Sequence, residues 1–236
     1  MLSFSQQNEF HLEPDSDLKV YQRLFVRRAI QTLGPISPRI LEIGAGSSDD
    51  ILNFVQFENY SVLDPEFSIE NSDIKLINGT LGQHCELPTK YFDIICSVSV
   101  LEHLDHHLWQ IAAEQMFQAC KTNGLIIHCI DGKCTGVKGD HFEQMLLWKE
   151  FLLNAGFQFL TTPWSFDSQT VYHSPTLWSM NEAGWRKWWN PPDEDWHDVG
   201  KPVSINLIMK KPKFHPRRYL YRLNSRIQEG FPMWRV

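Results

Sequence analysis

The 236-residue sequence contains no apolar run near the roughly 18 residues that a membrane-spanning helix needs. Residues 1–14 are too polar for a signal peptide, and the expectation is a protein kept in the cytoplasm. Cysteine is sparse. The five (85, 96, 120, 129 and 134) form no Cys-x-x-Cys pair and no zinc spacing. Cys96 and Cys129 sit inside apolar runs, where a free thiol behaves as a small hydrophobe, which also fits a reducing compartment. There is no Gly-x-Ser-x-Gly elbow and no Gly-Lys-Ser/Thr phosphate loop, so an α/β-hydrolase nucleophile and a P-loop are both excluded. What remains is ordinary for one globular domain with additions: 42% hydrophobic and 21% charged residues.

Positive charge is missing from most of the chain. Residues 210–236 hold eight Lys/Arg against Glu229 alone, which is +7, so 1–209 carry −13 of a net charge of −6. An acidic body works against broad binding to a phosphate backbone, which makes a nucleic-acid partner unfavourable. Residues 212–236 place Tyr219, Leu220, Leu223 and Ile227 on one helical stripe beside Arg218, Arg222 and Arg226. This basic tail suits an anionic lipid surface or a phosphorylated carrier, or else a surface arm packed on its own domain or on a second copy.

The chain is organised around Ile40, Leu41, Glu42, Ile43, Gly44, Ala45 and Gly46, followed by Ser47, Ser48, Asp49 and Asp50. An apolar run into two glycines predicts a buried strand and a tight turn that opens a helix. Glycine permits φ > 0 there and removes the Cβ from a ligand's path. A dinucleotide would require a third glycine where Asp49 stands, and Asp49 and Asp50 would repel its pyrophosphate.

Acidic residue, x, Gly, x, Gly resembles the first motif of class I S-adenosylmethionine (SAM) methyltransferases. The resemblance implies that Gly44, Ala45 and Gly46 pass under the methionine end of SAM, with Glu42 close by. It covers 35–161, and 203–211 match the family's last strand. The implied fold is α/β: a Rossmann-like three-layer sandwich with a mainly parallel seven-stranded sheet and an antiparallel last strand. An N-terminal helix or lid (1–34), a Trp-rich insertion (162–202) and the basic tail complete the domain.

Taken in order, 17–33 has helical spacing with Asp15–Asp17 as caps, and is either a lid or a helix packed on the sheet. A helix over 51–57 and a strand over 59–63 follow, then Asp64 and Pro65. Asp64 stands about 20 residues past the glycine turn, the spacing of an acid that bonds ribose hydroxyls. The alternative is an Asx turn before proline. A third strand (74–78) leads into Asn78, Gly79, Thr80 and Leu81, where the family often has an acid for the adenine. Thr80 and Leu81 are the candidates here. Leu87–Pro88 and then Phe92–Asp93 repeat a family pattern and open the fourth strand (91–97), with Ser97 at the cofactor end.

The step Leu101, Glu102, His103 resembles small-molecule methyltransferases, among them ubiquinone-pathway O-methyltransferases. It also resembles small-RNA 2′-O-methyltransferases, whose Glu-x-x-Glu-His pattern ligates metal. Ser99 occupies the first Glu position here, so no metal site is expected and turnover should need no added divalent ion. Asp105, His106 and His107 read either as ligands or as a helix cap with surface histidines. A helix (109–120), a turn at Asn123–Gly124, a fifth strand (125–130) ending at Asp131, a helix over 140–155, a sixth strand (157–160) and a seventh (203–209) complete the alternation.

The implied reaction is methyl transfer from SAM to a small-molecule or glycan-linked acceptor, preferably a hydroxyl. His103 and Asp131, on the rim beyond the fourth and fifth strands, are the candidate bases. His128 reads as a core histidine, and His141 and His173 are further candidate bases on segments not placed. The insertion holds Trp164, Trp178, Trp185, Trp188, Trp189 and Trp196, which read as an acceptor-binding lid or as a packing cap. The contrasting functions are a non-catalytic SAM-binding scaffold and an RNA 2′-O-methyltransferase.

Overall fold

The computed structural model describes residues 18–46, 59–66, 74–83, 85–134, 140–160 and 201–213. The expected helix over 51–57, the caps at Asp15–Asp17, the side chain of His141, His173, nearly all of the insertion and nearly all of the tail lie outside the described residues. Seven strands form one sheet in the order β3-β2-β1-β4-β5-β7-β6. They are β1 (Ile40–Ile43), β2 (Tyr60–Leu63), β3 (Lys75–Ile77), β4 (Phe92–Val98), β5 (Cys120–Cys134), β6 (Gln158–Phe159) and β7 (Lys201–Lys210). β1 pairs in parallel with β2 and β4, β2 with β3, and β4 with β5, whereas β7 runs antiparallel to both β5 and β6. The expected α/β class and antiparallel last strand are both present. β1 and β2 are buried at every position, as strands covered on both faces should be.

Helix α1 (Leu18–Leu33) packs Phe25, Val26, Ala29 and Ile30 against one face of the sheet. Helices α2 (Trp109–Ala119) and α3 (Asp140–Ala155) cover the other. Alternation along the strands separates the two faces: Leu41, Ile43, Ile95, Ile126 and Ile130 join the apolar cluster under α2 and α3, built with Trp109, Met116, Trp148 and Leu152. α1 ends at Gly34, where a Cβ would stand 2.6 Å from the Ile30 carbonyl oxygen and 2.9 Å from an Ile94 methyl.

β5 is longer at both ends than the apolar run 125–130 suggests. Its first residues bend, with Asn123 at φ 66 and a register shift against β4 between Phe92 and Ile94. Its last residues are extended by β7, which pairs with it up to Cys134 opposite Lys201, whereas β4 stops at Val98 opposite Cys129. β5 and β7 therefore project together beyond the carboxyl end of β4 as a two-stranded ribbon, and Asp131 stands at its base opposite Ser204. At the opposite end of the sheet Lys211, 6% exposed, donates to the carbonyls of Phe117 (2.5 Å) and Cys120 (2.8 Å), closing the C-terminus of α2.

Candidate active site

The glycine turn leaves β1 with Gly44 at φ 65 and Gly46 at φ 63, both left-handed as the sequence requires. The two glycines serve different needs. A Cβ on Gly44 would come 2.6 Å and 2.8 Å from the γ-carbons of Val100, so this glycine lets β1 meet the turn after β4. Among the described residues a Cβ on Gly46 would meet nothing within 4 Å. Ala45 between them is buried.

Asp64 follows β2 and faces this turn. Its Oδ2 accepts the Gly46 N–H at 3.3 Å and its Oδ1 the Glu66 N–H at 2.8 Å. The Asx turn weighed from the sequence is thus present, and the same carboxylate ties the two loops together. Each oxygen has a further lone pair for a ligand's hydroxyl. A glycine with no described neighbour over its bare face and an acid with spare acceptors fit an adenosyl ligand.

Glu42 is on the face of β1 opposite Leu41 and Ile43, buried at 5% exposure, and its carboxylate accepts the Tyr60 hydroxyl. Burial, with Glu42 adding to it, pushes the Tyr60 hydroxyl and the neighbouring Cys96 thiol well above their ordinary pKa values. Pro65 is exposed beside Asp64, and Thr80 is half-buried with its carbonyl accepting the Gln83 N–H at 3.1 Å. Leu81 is turned into the apolar core at 1% exposure. The loop holding it is fixed by Gln115 of α2, which accepts the Gly82 N–H at 2.7 Å and donates to the Gln83 carbonyl at 2.9 Å. Ser97 is fully buried, with its hydroxyl 2.8 Å from His128 Nδ1, so both side chains face the core. Burial lowers the His128 pKa to about 3, which makes it the neutral core histidine expected from its strand position.

Beyond β4 and β5 the chain gathers acids. After Ser99, at φ 52, a 3-10 turn (Leu101–His103) presents Glu102 and His103. Two stacked indoles hold this turn from below, 5.0 Å between ring centres. Trp148 donates to the Leu101 carbonyl at 3.0 Å and Trp109 to the Leu104 carbonyl at 2.7 Å. Glu102 Oε1 accepts the Asp131 N–H at 3.1 Å, while its buried Oε2 has no partner among the described residues. Burial and the nearby Asp131 raise the Glu102 pKa to about 8, and burial raises that of Asp131. The two carboxyls thus titrate as a pair that keeps one proton at neutral pH.

His103, the other candidate base, is exposed at the mouth, and its charge acts on Asp131. Ser99, read above only as a lost metal ligand, is 2.9 Å from Asp131, and Gln22 of α1 donates to the same carboxylate at 2.5 Å. Sequence reasoning missed Gln22, Trp109 and Trp148. Gln22 lies 109 positions from its partner with no motif around it, and the two tryptophans stand inside helices with no motif of their own. Among the described residues no three His, Cys, Asp or Glu side chains group as metal ligands.

A family model described as a methyltransferase domain matches residues 18–186. The chain belongs to that family. It is a class I, SAM-dependent methyltransferase domain, and its sheet is the one this family builds. Solved structures share the fold at low identity. A candidate sarcosine dimethylglycine methyltransferase from Galdieria sulphuraria is 12% identical, with TM-score 0.57, over 82% of this chain and 86% of its own. The Haemonchus contortus phosphoethanolamine N-methyltransferase 2, in complex with phosphomonomethylethanolamine and S-adenosylhomocysteine, is 14% identical with TM-score 0.52, over 82% of this methyltransferase and 53% of its own chain. The [4+2]-cyclase SpnF is 16% identical with TM-score 0.52, over 86% and 85%. Among curated proteins nothing matches the chain.

Proposed function

We propose that this methyltransferase transfers a methyl group to a hydroxyl of a small-molecule or glycan-linked acceptor seated beyond the carboxyl ends of β4 and β5. The observation that supports this is the Glu102–Asp131 pair on that rim, with Glu102 two residues past Val100, which meets Gly44 of the glycine loop. On this reading Gly44, Ala45, Gly46, Asp64, Pro65 and Thr80 line the cofactor, while Glu42, Leu81 and Ser97, whose side chains are buried, shape it through backbone and packing.

SAM supplies an electrophilic methyl group whose bonding electron pair departs with the sulfur. The residues of this chain then have to align the acceptor, exclude water and accept one proton. As the acceptor oxygen bonds to the methyl carbon, its proton passes to the Asp131 carboxylate, and His103 at the mouth relays it to solvent. Gln22 and Ser99 hold that carboxylate in place. A scaffold that binds SAM without turnover has no use for two half-covered carboxyls on the rim, whose burial costs folding energy. The SpnF likeness shows that this fold also hosts other chemistry, so the site, not the fold, carries the proposal.

An amine is the second acceptor class, favoured by the single negative charge that the pair keeps. The acidic 1–209 body disfavours RNA, and the basic tail suits an anionic carrier or membrane surface. The test is incubation with methyl-labelled SAM and a cell extract, followed by isolation of the labelled product. A labelled ether, lost more than a hundredfold in Asp131→Asn with SAM affinity kept, is the expected result. Labelled amine or RNA, or full turnover in Asp131→Asn, overturns it.

A further inference from the structure

Gln22 has no exposed surface and reaches from α1 to both Asp131 and Ser99. Its Nε2 donates to Asp131 Oδ1 at 2.5 Å, and its Oε1 lies 2.8 Å from the Ser99 hydroxyl. That hydroxyl is also 2.9 Å from Asp131 Oδ1, so its single proton serves one acceptor at a time. Ser99 is fixed by its left-handed backbone and by its N–H on the Cys129 carbonyl at 2.9 Å. The Cys129 thiol in turn donates to the Gln22 carbonyl at 3.7 Å, which keeps helix and strand in register. Glu102 receives backbone N–H groups but, among the described residues, no side-chain donor.

This asymmetry has a chemical consequence, given the reading above that Asp131 takes the acceptor's proton. We propose that Gln22 is a positioning residue: its amide holds Asp131 as the ionised, proton-accepting member of the pair and leaves the shared proton on Glu102. A donor aimed at a carboxylate favours its charged form, and two neighbouring carboxyls do not both ionise at neutral pH. Among the described residues the other charged groups acting on the pair are Lys19 of α1 and His103 of the 3-10 turn. Lys19 acts on both carboxyls and so discriminates little, while His103 reinforces the choice of Asp131. The helix preceding the sheet thus sets which acid works as the base.

The test is a pH titration of the full chain carrying 13C-labelled Asp and Glu carboxyls, followed by NMR, in wild type, Gln22→Leu and Ser99→Ala. In wild type the upper step belongs to the Glu102 carboxyl and the lower to Asp131. In Gln22→Leu a large part of the upper step should pass to Asp131, and the acid limb of the rate–pH profile should move up by about one unit. Ser99→Ala should shift both in the same direction, which keeps the test open if Gln22→Leu does not fold. A folded variant in which Glu102 retains the whole upper step and the acid limb stays put overturns the proposal. If the steps move but Asp131→Asn turns over normally, the reading of Asp131 as base fails and the proton placement stands. If Asp131→Asn is inactive and the steps do not move, the reverse holds.

Discussion

Each oxygen of the Asp64 carboxylate already accepts one backbone N–H, one from the glycine turn and one from its own loop. Asp64→Ala therefore removes a brace of the loop as well as a ribose acceptor. SAM binding should weaken by about 1.5–3 kcal/mol, the scale of hydrogen bonds to a charged group, while the chain stays folded. Calorimetry giving wild-type affinity would take Asp64 out of the site. Glu102 makes a different prediction, about pH. With its pKa held near 8 in the fold, it is protonated in both states at low pH. As pH rises from about 4.5 to 8 the unfolded chain releases that proton and the folded chain keeps it, so stability falls across this window. Glu102→Gln resembles the protonated form and should lose less. Thermal melts at pH 5 and pH 8.5 should show the variant gaining on the order of 2 kcal/mol over wild type at the higher pH. An unchanged difference between the two melts would place Glu102 in water.

The 3-10 turn that carries Glu102 and His103 is one short element, and its position depends on indoles from two others. Trp148→Phe keeps a ring in the stack with Trp109 but leaves the Leu101 carbonyl only the longer bond from the Leu104 N–H at 3.3 Å. The expected cost is about 1–2 kcal/mol of stability. Turnover should fall more than SAM binding, because the turn rather than the glycine loop is loosened. Urea denaturation and calorimetry check the two halves separately. The sequence displayed the elements well and their joints poorly. Alternating apolar strands and helices from Ile40 onward, the paired glycines and the acid after β2 are local patterns, readable within a few residues of each other. Gln22 meeting Asp131, Trp148 holding Leu101 and Gln115 pinning Gly82 are contacts that only the closed sheet creates. Ser99 is instructive because its motif position predicted only the loss of a metal ligand. Its left-handed backbone, which made it a partner of Asp131, has no signature in a serine.

At the scale of the molecule, the candidate site lies along one rim of the sheet. The Trp-rich segment 162–202 rejoins the sheet at Lys201, opposite Cys134, at the tip of the ribbon that rises beside Asp131. If the proposed acceptor site is right, this segment is the candidate for its acceptor side. Trp188→Ala with Trp189→Ala should leave SAM affinity within about threefold, below ~1 kcal/mol, while methyl transfer falls sharply. Normal transfer in the folded double variant would reduce these tryptophans to packing. Collapse of SAM binding would instead assign the segment to the cofactor.

Lys211 stands at the far end of the same sheet, with its ammonium shut between two carbonyls and 4.4 Å above the Phe117 ring. An amine reagent cannot reach it while β7 and α2 stay joined. Among the described lysines it should acylate last, at a rate set by how often that junction opens rather than by reagent strength. Read by mass spectrometry over time, one side chain becomes a clock for the unlatching of β7, the antiparallel strand next to the sheet's edge.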